Sequence, residues 1–581
     1  MFDLIIRNGS VVDGSGAPRR LADVAIQGGV IRAIGRVDDQ SGQTLDAGGQ
    51  IVAPGFVDVH THYDAQVFWD PSLTPSSNHG VTSVIGGNCG FSIAPLTPEA
   101  GAYLMPMLAR VEGMPLESLR LGVPWNWRSF GEYLAKIEGR IAINAGFMVG
   151  HSALRRVVMG ERAVGHEASP ADLLGMVSLL RRSLAEGGMG FSSTISNSHN
   201  DADGAPVPSR HASRDELLAL AGVLRDFPGT SLEFLPGPEE FDDAKKQLMA
   251  DLSLAANRPL NWNAIGVTAS NGAYVRAQLS ASDFARARGA EVVALTVPDS
   301  TTLRINLVSG FMFDMVSGWA DFFRLPPEER KRQMADPGGR RSLRDRAAAD
   351  RSYLGQQIAN FAGMRVEEVF APINQAFVGR TLGEAAAGSG REVFDLFCEI
   401  ALADDLRTSF TPAIETIADD SKSTWLAKRS VWLDDRTLIG ASDAGAHLDM
   451  IDTFAIPTRV LEKGVRQHGI LTLEQAIHQL CDLPARLYGL RGRGRIAEGW
   501  QADIVVFDER RIGCRPVSTR FDLPGGAGRI FAEAEGIEHV LVNGVEILRG
   551  SQSTGKLPGA VFRSGRDTQT VDLSQRWFEA N

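Results

Sequence analysis

Cysteine is scarce in this chain of 581 residues, and long apolar runs are missing from it. The four cysteines, Cys89, Cys398, Cys481 and Cys514, lie far apart and form no CxxC pair, which excludes a zinc ribbon and a disulfide framework. No apolar stretch reaches the roughly 18 residues that a membrane-spanning helix needs. The opening segment MFDLIIRNGS lacks the charged-then-apolar layout of a signal peptide. The sequence therefore predicts a cytoplasmic protein that does not enter a membrane.

Basic runs are missing as well. The formal net charge is -11, and lysine and arginine are spread along the chain, so neither nucleic acid nor an anionic membrane surface is an expected partner. Hydrophobic residues make up 44% of the sequence and charged residues 22%, which is typical of a globular protein with a large core. The expected partner is a small-molecule substrate, and self-association into a homo-oligomer stays open.

The middle of the chain alternates between short apolar segments and amphipathic helical patterns. One helical pattern has Ser169 as its N-cap, Pro170 in its first turn and Gly187 beyond its end. Eight strand candidates occur in the order GFVDVHTH, VTSVIGGNCG, INAGFMVGHS, MGFSST, SLEFLPG, PLNWNAIGV, EVVALTVP and TLIGASDAGAH. This alternation predicts an α/β fold, and specifically a TIM-like (β/α)8 barrel rather than an open sheet.

Both ends of the chain have a different composition from the middle. Residues 1–55 and 485–581 contain alternating β-branched residues interrupted by Asn-Gly and Gly-Gly turns, as in LIIRNGSVVDG and VLVNGVEILRG. We expect the two ends to form one small β-sandwich domain beside a barrel of residues 56–484. Residues from about 300 to 435 interrupt the alternation and are rich in Arg, Asp and Phe. They predict a helical insertion near the active-site face.

His60 and His62 end the first predicted barrel strand, in GFVDVHTHYD. Side chains two residues apart on a strand point to the same side, so both imidazoles should reach one point at the C-terminal face of the barrel, where barrel active sites lie. Neutral imidazole is a preferred ligand for zinc and similar divalent ions. An HxH pair also arises by chance on surface loops, but this pair closes an apolar strand, which favours a metal site.

Asp443 and His447 follow the last predicted strand, in TLIGASDAGAH. A carboxylate beside a metal can ligate it and can also accept a proton during hydrolysis. Asp443 could instead cap the N-terminus of a helix, but its pairing with the HxH strand favours the metal role. We therefore predict His60, His62 and Asp443 as metal ligands, with Asp443 also the catalytic proton acceptor.

Other candidate residues each allow two interpretations. Cys89, in GGNCGFS, is either a thiolate ligand or a packed core cysteine. His151, in MVGHSALR, is either a substrate contact or a structural histidine. The polar segment that contains His199 either lines a substrate pocket or forms a solvated loop. We keep Cys89 as a candidate metal ligand and predict His151, His199 and His447 as substrate-binding residues.

These motifs together resemble one enzyme family. PGFVDVHTHYD, GVTSVIGGNCGFSIAPL, GHSALR, GASDAGAH and GRIAEGWQADIVVFD are similar to segments of D-aminoacylases (N-acyl-D-amino-acid deacylases) of the amidohydrolase superfamily, and they span nearly the whole chain in order. The resemblance implies a β-sandwich domain beside a TIM-like barrel, one or two zinc ions, and hydrolysis of an amide-type C–N bond. It also implies that Cys89 is a ligand or a metal bridge.

Two histidines of that family are missing here. The family places one on each of the fifth and sixth strands, in segments resembling THMRD and SHHK, whereas this chain has SLEFLPG and PLNWNAI there. The fourth strand, MGFSST, also has no lysine that could bridge two metals. Glu233 becomes a candidate metal ligand, since a buried carboxylate needs a cation nearby, and an ion pair with Arg or Lys is the alternative. Asn261 and Asn263 are candidate substrate contacts.

The sequence thus predicts a metal-dependent amidohydrolase that hydrolyses an amide-type C–N bond of a small molecule, similar to N-acyl-D-amino-acid deacylases. It predicts one divalent ion, zinc, rather than two. The alternative is a degenerate amidohydrolase barrel that binds a ligand or partner without hydrolysis, which the missing histidines would explain. Retention of both the HTH and SDAGAH motifs argues against this alternative.

Overall fold

The computed structural model describes residues 1–297, 303–310, 312–414, 419–574 and 576–578. Its fold is mixed α/β: parallel strands alternate with helices in the middle of the chain, and antiparallel strands gather from the two ends. Within the described residues, no helix has both the length and the apolar character needed to cross a membrane.

Two parallel sheets occupy the middle of the chain. The three-stranded sheet has the order Phe56–Asp58, Val81–Gly86 and Asn144–Phe147. The six-stranded sheet has the order Val149–Gly150, Gly190–Thr194, Ser231–Leu235, Leu260–Gly266, Val292–Val297 and Thr437–Ile439. Most residues of these strands are buried on both faces, as in Val81–Gly86, Gly190–Thr194 and Val292–Val297.

The two parallel sheets meet at both of their edges. At one edge, only Met148 separates the last strand of the smaller sheet from the first strand of the larger one. At the other edge, Thr61 and Ala444 form a parallel bridge, and the N–H of Asp443 donates to the carbonyl of His60 at 3.1 Å. The C-terminal ends of the first and last parallel strands therefore lie side by side.

Helices connect the parallel strands. The helix Pro170–Ala185 begins with a capping box, in which Ser169 and Asp172 exchange hydrogen bonds and Pro170 takes the first helical position. The α-helices around the parallel strands are Pro98–Val111, Leu116–Gly122, Phe130–Ile137, His151–Met159, Pro170–Ala185, Arg214–Val223, Asp243–Ala256, Gly272–Arg286, Lys422–Trp432, Ile456–Arg459, Leu473–Ile477 and Leu483–Leu487. Two π-helical stretches, Val460–Gln467 and His478–Asp482, join the last of them.

A helical segment separates the strands Val292–Val297 and Thr437–Ile439. Its helices are Ala320–Arg324, Pro327–Ala335, Pro337–Ala349, Tyr353–Ile358, Leu382–Ser389 and Val393–Ala403, and a small antiparallel pair joins Arg365–Glu368 to Ser409–Thr411. Trp319, Phe361 and Phe397 belong to a hydrophobic core that this segment forms largely by itself. This segment is therefore packed around its own interior.

Nine strands from both chain ends pair into a single sheet. They are Phe2–Val11, Arg20–Gln27, Val30–Gly35, Ser41–Asp46 and Ile51–Pro54 from the start, and Ile504–Phe507, Ile537–Val542, Val545–Arg549 and Gln552–Ser553 from the end. The two halves join where Ile51–Pro54 pairs antiparallel with Ile504–Phe507. The predicted β structure made from both ends is thus present.

His79 links the region of parallel strands to the C-terminal segment. The histidine is fully buried, its Nε2 donates to the carbonyl of Ala532 at 3.0 Å, and its Nδ1 lies 2.7 Å from the hydroxyl of Thr458. Burial lowers the pKa of His79 from 6.5 to about 4, because the charged imidazolium loses its hydration there.

This histidine should make the fold sensitive to acid. The unfolded chain binds the proton at a higher pH than the folded one, so the stability that the neutral imidazole contributes is present above the unfolded pKa and is lost as the pH falls from about 6.5 towards 4. We expect His79→Gln to flatten this loss by up to about 1.4 kcal/mol per pH unit. Urea unfolding of both proteins between these pH values measures the difference, and equal slopes would contradict the prediction.

Candidate metal centre

His60, His62 and Asp443 converge at the C-terminal ends of the first and last parallel strands. Asp443 Oδ1 lies 3.1 Å from His60 Nε2 and 3.4 Å from His62 Nε2. Both imidazoles are buried, and their ring centroids are 5.5 Å apart. The hydroxyl of Ser442 also donates to the carbonyl of His60, which fixes the loop that carries Asp443 against the HxH strand. The structure therefore brings these three predicted residues together.

Cys89 lies beside the two histidines. Its Sγ is 3.4 Å from His60 Nε2, and the ligand atoms of His60, His62 and Cys89 all lie within 4.8 Å of one another. Gly87 in the same turn has a φ of +74°, and a Cβ there would come within 2.4 Å of the backbone of Met148. The turn therefore needs glycine for its close approach to the next strand, and this approach carries Cys89 to the histidines.

Glu233 and Asn263 occupy the strands on which the family histidines were missing. Glu233 is fully buried; its Oε2 accepts from the N–H of Cys89 at 2.9 Å, and its Oε1 has no hydrogen-bond partner among the described residues. Asn263 Nδ2 lies 3.0 Å from His60 Nε2 and 3.8 Å from Cys89 Sγ. Both side chains thus face the histidines. The central cluster, as we call it, consists of His60, His62, Cys89, Glu233, Asn263 and Asp443.

Glu112 is a further candidate residue, which the sequence pattern did not indicate. It caps the C-terminus of the helix Pro98–Val111, is 3% exposed, and places its Oε2 3.6 Å from His62 Nε2. Its carbonyl accepts a hydrogen bond from the N–H of His447, in the loop that carries Asp443. A single acid at a helix end has no periodic signal, so only the tertiary structure reveals its position.

Buried acids are numerous around the central cluster. Burial, which disfavours the carboxylate form, raises the pKa of Asp58 and Glu112 to about 7, of Asp64 to about 6 and of Glu233 to about 8. Burial also opposes ionisation of Asp443, but its hydrogen bonds to the two histidines outweigh that effect and hold its pKa well below the usual range. A cation bound beside these acids would favour their ionised form.

The pKa of His62 is raised, whereas burial normally lowers the pKa of a histidine. Burial lowers its pKa, but the charge of Glu112 and the hydrogen bond to Asp443 outweigh burial and raise the pKa to about 9. The imidazole therefore binds a proton tightly in the absence of another cation. A metal ion would compete with this proton for the same nitrogen.

His151 lies in a separate buried network. Its Nδ1 is 2.8 Å from the hydroxyl of Ser193 and its Nε2 is 2.8 Å from Glu216 Oε1. Arg155 donates to both carboxylate oxygens of Glu216 at 2.6 Å. Because both ring nitrogens already have partners, this geometry indicates a structural or positioning role for His151 rather than direct substrate contact.

The other predicted substrate contacts differ in their surroundings. The ring of His199 packs against Phe91, with centroids 5.0 Å apart. Burial lowers the pKa of His199 to about 3 and of His447 to about 4, so both are neutral at neutral pH. Asn261 instead donates to the hydroxyl of Tyr488 at 3.2 Å and to a strand carbonyl, so its amide nitrogen is engaged away from the central cluster.

Comparison with known proteins agrees with the geometry. Two models, each of an amidohydrolase family, match residues 43–322 and 398–547, and these two ranges include every member of the central cluster. Over both ranges the chain is similar to amidohydrolases, and the predicted resemblance to that superfamily is confirmed. Over 97% of its length it is similar to two proteins of Alcaligenes xylosoxydans xylosoxydans: N-acyl-D-glutamate deacylase (29% identical, 96% of that protein covered) and D-aminoacylase (27% identical, 97% covered). The predicted relation to D-aminoacylases is confirmed.

Solved structures show the same fold. A crystal structure of D-aminoacylase superposes with a TM-score of 0.64 at 24% identity, covering 97% of this chain and 100% of the other. A second D-aminoacylase structure, described as having a binuclear metal centre with one-metal activation and second-metal attenuation, gives a TM-score of 0.62 at 24% identity with the same coverage.

Proposed function

We propose that this chain is a metal-dependent hydrolase that cleaves an amide-type C–N bond of a small molecule, as N-acyl-D-amino-acid deacylases do. The observation that carries the proposal is the convergence of His60, His62 and Cys89, whose ligand atoms lie within 4.8 Å of one another. Asp443 Oδ1 approaches both imidazoles. Two relatives that match the chain over nearly its full length are named for deacylase activity, which supports the same reaction here.

The central cluster fits a divalent ion of the zinc type. Imidazole, thiolate and carboxylate are the ordinary zinc ligands, and His60, His62, Cys89 and Asp443 would hold the ion, with Glu233 as a further carboxylate. The buried Glu233 Oε1 has no hydrogen-bond partner among the described residues, as expected for an oxygen that faces a cation. A bound ion supplies Lewis-acid polarisation of the substrate carbonyl and stabilises the negative charge that develops on its oxygen.

One ion rather than two is our proposal for this centre. Glu233 lies on the strand where the resembled family has the first of two histidines, and Asn263, a poor zinc ligand, faces His60 from the next strand. The D-aminoacylase described by one-metal activation supports the sufficiency of a single ion in this fold.

Asp443 is the proton acceptor in this proposal. Its side chain is 33% exposed, whereas the other acids of the site are buried, and its low pKa keeps it ionised at neutral pH. Its carboxylate can take a proton from the attacking water and deliver it to the nitrogen of the leaving amine. His199 and His447, both neutral, can donate hydrogen bonds to the bound substrate.

The same proposal extends to the architecture. We infer that the two parallel sheets are the two arcs of one (β/α)8 barrel, joined through Met148 on one side and through the Thr61–Ala444 bridge on the other. In this division, residues 56–484 form the barrel, with a helical insertion at about 300–435, and residues 1–55 and 485–581 form the β domain. Barrel active sites lie at the C-terminal ends of the strands, which is where the central cluster lies.

Metal analysis and an activity assay together test the function. We expect the purified protein to contain about one equivalent of a zinc-type ion and to hydrolyse N-acylated amino acids. A chelator should abolish activity and zinc should restore it. His60→Ala should lower kcat/KM by about a hundredfold or more, whereas His539→Ala, at a histidine in the β sheet that pairs with Glu546, should leave it unchanged.

Other results of these measurements would contradict the proposed function. Full activity in metal-free protein or in His60→Ala would refute metal-dependent hydrolysis. A folded protein that contains no metal, shows no thermal shift with zinc and turns over no amide would support a barrel that only binds its ligand.

A further inference from the structure

Glu112 approaches the central cluster from a part of the chain in which no ligand was expected. Its side chain is 4% exposed, and its Oε2 lies 3.6 Å from His62 Nε2. A buried carboxylate is costly unless a cation lies close to it.

The ring nitrogen of His62 that Glu112 faces distinguishes a metal ligand from a residue that only supports a metal-bound histidine. A carboxylate that supports a metal-bound histidine from behind normally accepts a hydrogen bond from the ring nitrogen that does not bind the metal. Glu112 instead faces His62 Nε2, the same nitrogen that lies 3.4 Å from Asp443 Oδ1. Glu112 and Asp443 thus both face the ligand nitrogen of His62.

The backbone holds Glu112 in this place. Its N–H bonds to Leu108, one turn back in the helix Pro98–Val111, and its carbonyl accepts from the N–H of His447. Gly113, the next residue, has a φ of +56°, and a Cβ there would come within 3.2 Å of His447. The end of the helix is therefore docked against the loop that carries Asp443, and the position of the carboxylate is built into the fold.

Two buried oxygens on the other side of the central cluster also indicate a binding site for a cation. Glu233 Oε1 and Asn263 Oδ1 belong to side chains that are at least nine-tenths buried, and neither oxygen has a hydrogen-bond partner among the described residues. Their other side-chain atoms contact Cys89 and His60, so both side chains are directed into the central cluster. Buried oxygens without donors are what a cation-binding centre leaves when the cation is removed.

We propose that Glu112 is a ligand of the metal centre, on the side of His62. The proposal rests on the metal-dependent function proposed above. Glu112 would make the donor set richer in carboxylate than the motifs indicate, with Glu112, Asp443 and Glu233 beside two imidazoles and one thiolate. This addition would offset part of the loss of the two family histidines.

Metal titration of three variants tests the role. We expect Glu112→Gln to weaken zinc binding to the metal-free protein by about tenfold or more in calorimetry and to shift the visible absorption bands of the cobalt(II)-loaded protein. Glu112→Asp keeps a carboxylate and should recover part of the affinity. Asp64→Asn is the matched control, since it removes a buried acid near His62 whose Oδ2 accepts from Gly87 N–H at 2.8 Å, and it should weaken zinc by less than about threefold.

Thermal unfolding of the metal-free proteins gives a second, independent measurement. Metal-free Glu112→Gln lacks the contact between this carboxylate and His62, so the change in its unfolding temperature measures what that contact contributes without a metal. Its stabilisation by added zinc should be smaller than that of wild type.

Each of the other possible results would contradict a specific claim. Wild-type zinc affinity and an unchanged cobalt spectrum in Glu112→Gln would overturn the proposal, as would equal weakening in Asp64→Asn, which would show a general effect of charge. A less stable metal-free Glu112→Gln with normal zinc binding would establish a structural ion pair with His62 instead. A wild-type protein that binds no zinc would overturn both this role and the metal-dependent function.

Discussion

Asp443→Asn should lower kcat on an N-acylated substrate by about a thousandfold or more, which corresponds to ~4 kcal/mol of activation free energy. Asparagine keeps the size of the side chain but loses the charge that faces His60 at 3.1 Å and His62 at 3.4 Å, and it cannot accept a proton. Steady-state kinetics measure the loss of kcat, and metal analysis shows whether the variant still binds its ion. A variant that keeps its metal but loses kcat would identify proton transfer, and one that loses the metal would identify ligation.

A second acid in the same loop provides the control. Asp449 instead accepts from Asn306 Nδ2 at 2.7 Å. Asp449→Asn should therefore keep kcat within about tenfold of wild type. If Asp443→Asn retained more than a tenth of the wild-type kcat, Asp443 would not be the proton acceptor, and another base would have to be sought among His199 and His447.

The parallel strands and the HxH motif could be predicted because their signals are local. A strand buried on both faces gives a largely apolar run, and EVVALTVP is such a run, at Val292–Val297 in the structure. Two histidines at the end of such a run must point to one side. The relation to D-aminoacylases followed from motifs that keep the same order along the whole chain.

Residues whose roles depend on distant contacts could not be assigned in this way. Glu112 is a single acid at a helix end, and only the fold brings it to His62. The sequence placed Asn261 and Asn263 on one face of a strand, but it could not show that Asn261 is engaged by Tyr488 while Asn263 reaches His60. The two interpretations of His151 also stayed open, because its partner Glu216 is 65 residues away along the chain.

The buried network of His151, Glu216 and Arg155 leads to the largest expected effect on stability. Glu216→Ala should lower the free energy of unfolding by about 3–5 kcal/mol, because it leaves a buried guanidinium without its partner. Arg155 is fully buried and donates to both oxygens of Glu216, which is 1% exposed, and His151 Nε2 contacts the same carboxylate. Equilibrium denaturation measures the loss.

Two comparison variants separate the buried charge from other causes. Glu117→Ala removes an acid from an ion pair with Arg120 at 3.8 Å, in which both side chains are more than half exposed, and should change stability by less than about 1 kcal/mol. The double variant Arg155→Met with Glu216→Leu removes both charges and should recover most of the loss, because the cost lies in the unpaired buried cation rather than in the missing attraction.

If Glu216→Ala cost no more than Glu117→Ala, water would have to reach Arg155, and the network could not be a rigid support for His151. If the double variant recovered stability but not activity, His151 would depend on Glu216 for its orientation, and the network would position catalytic groups as well as stabilise the fold.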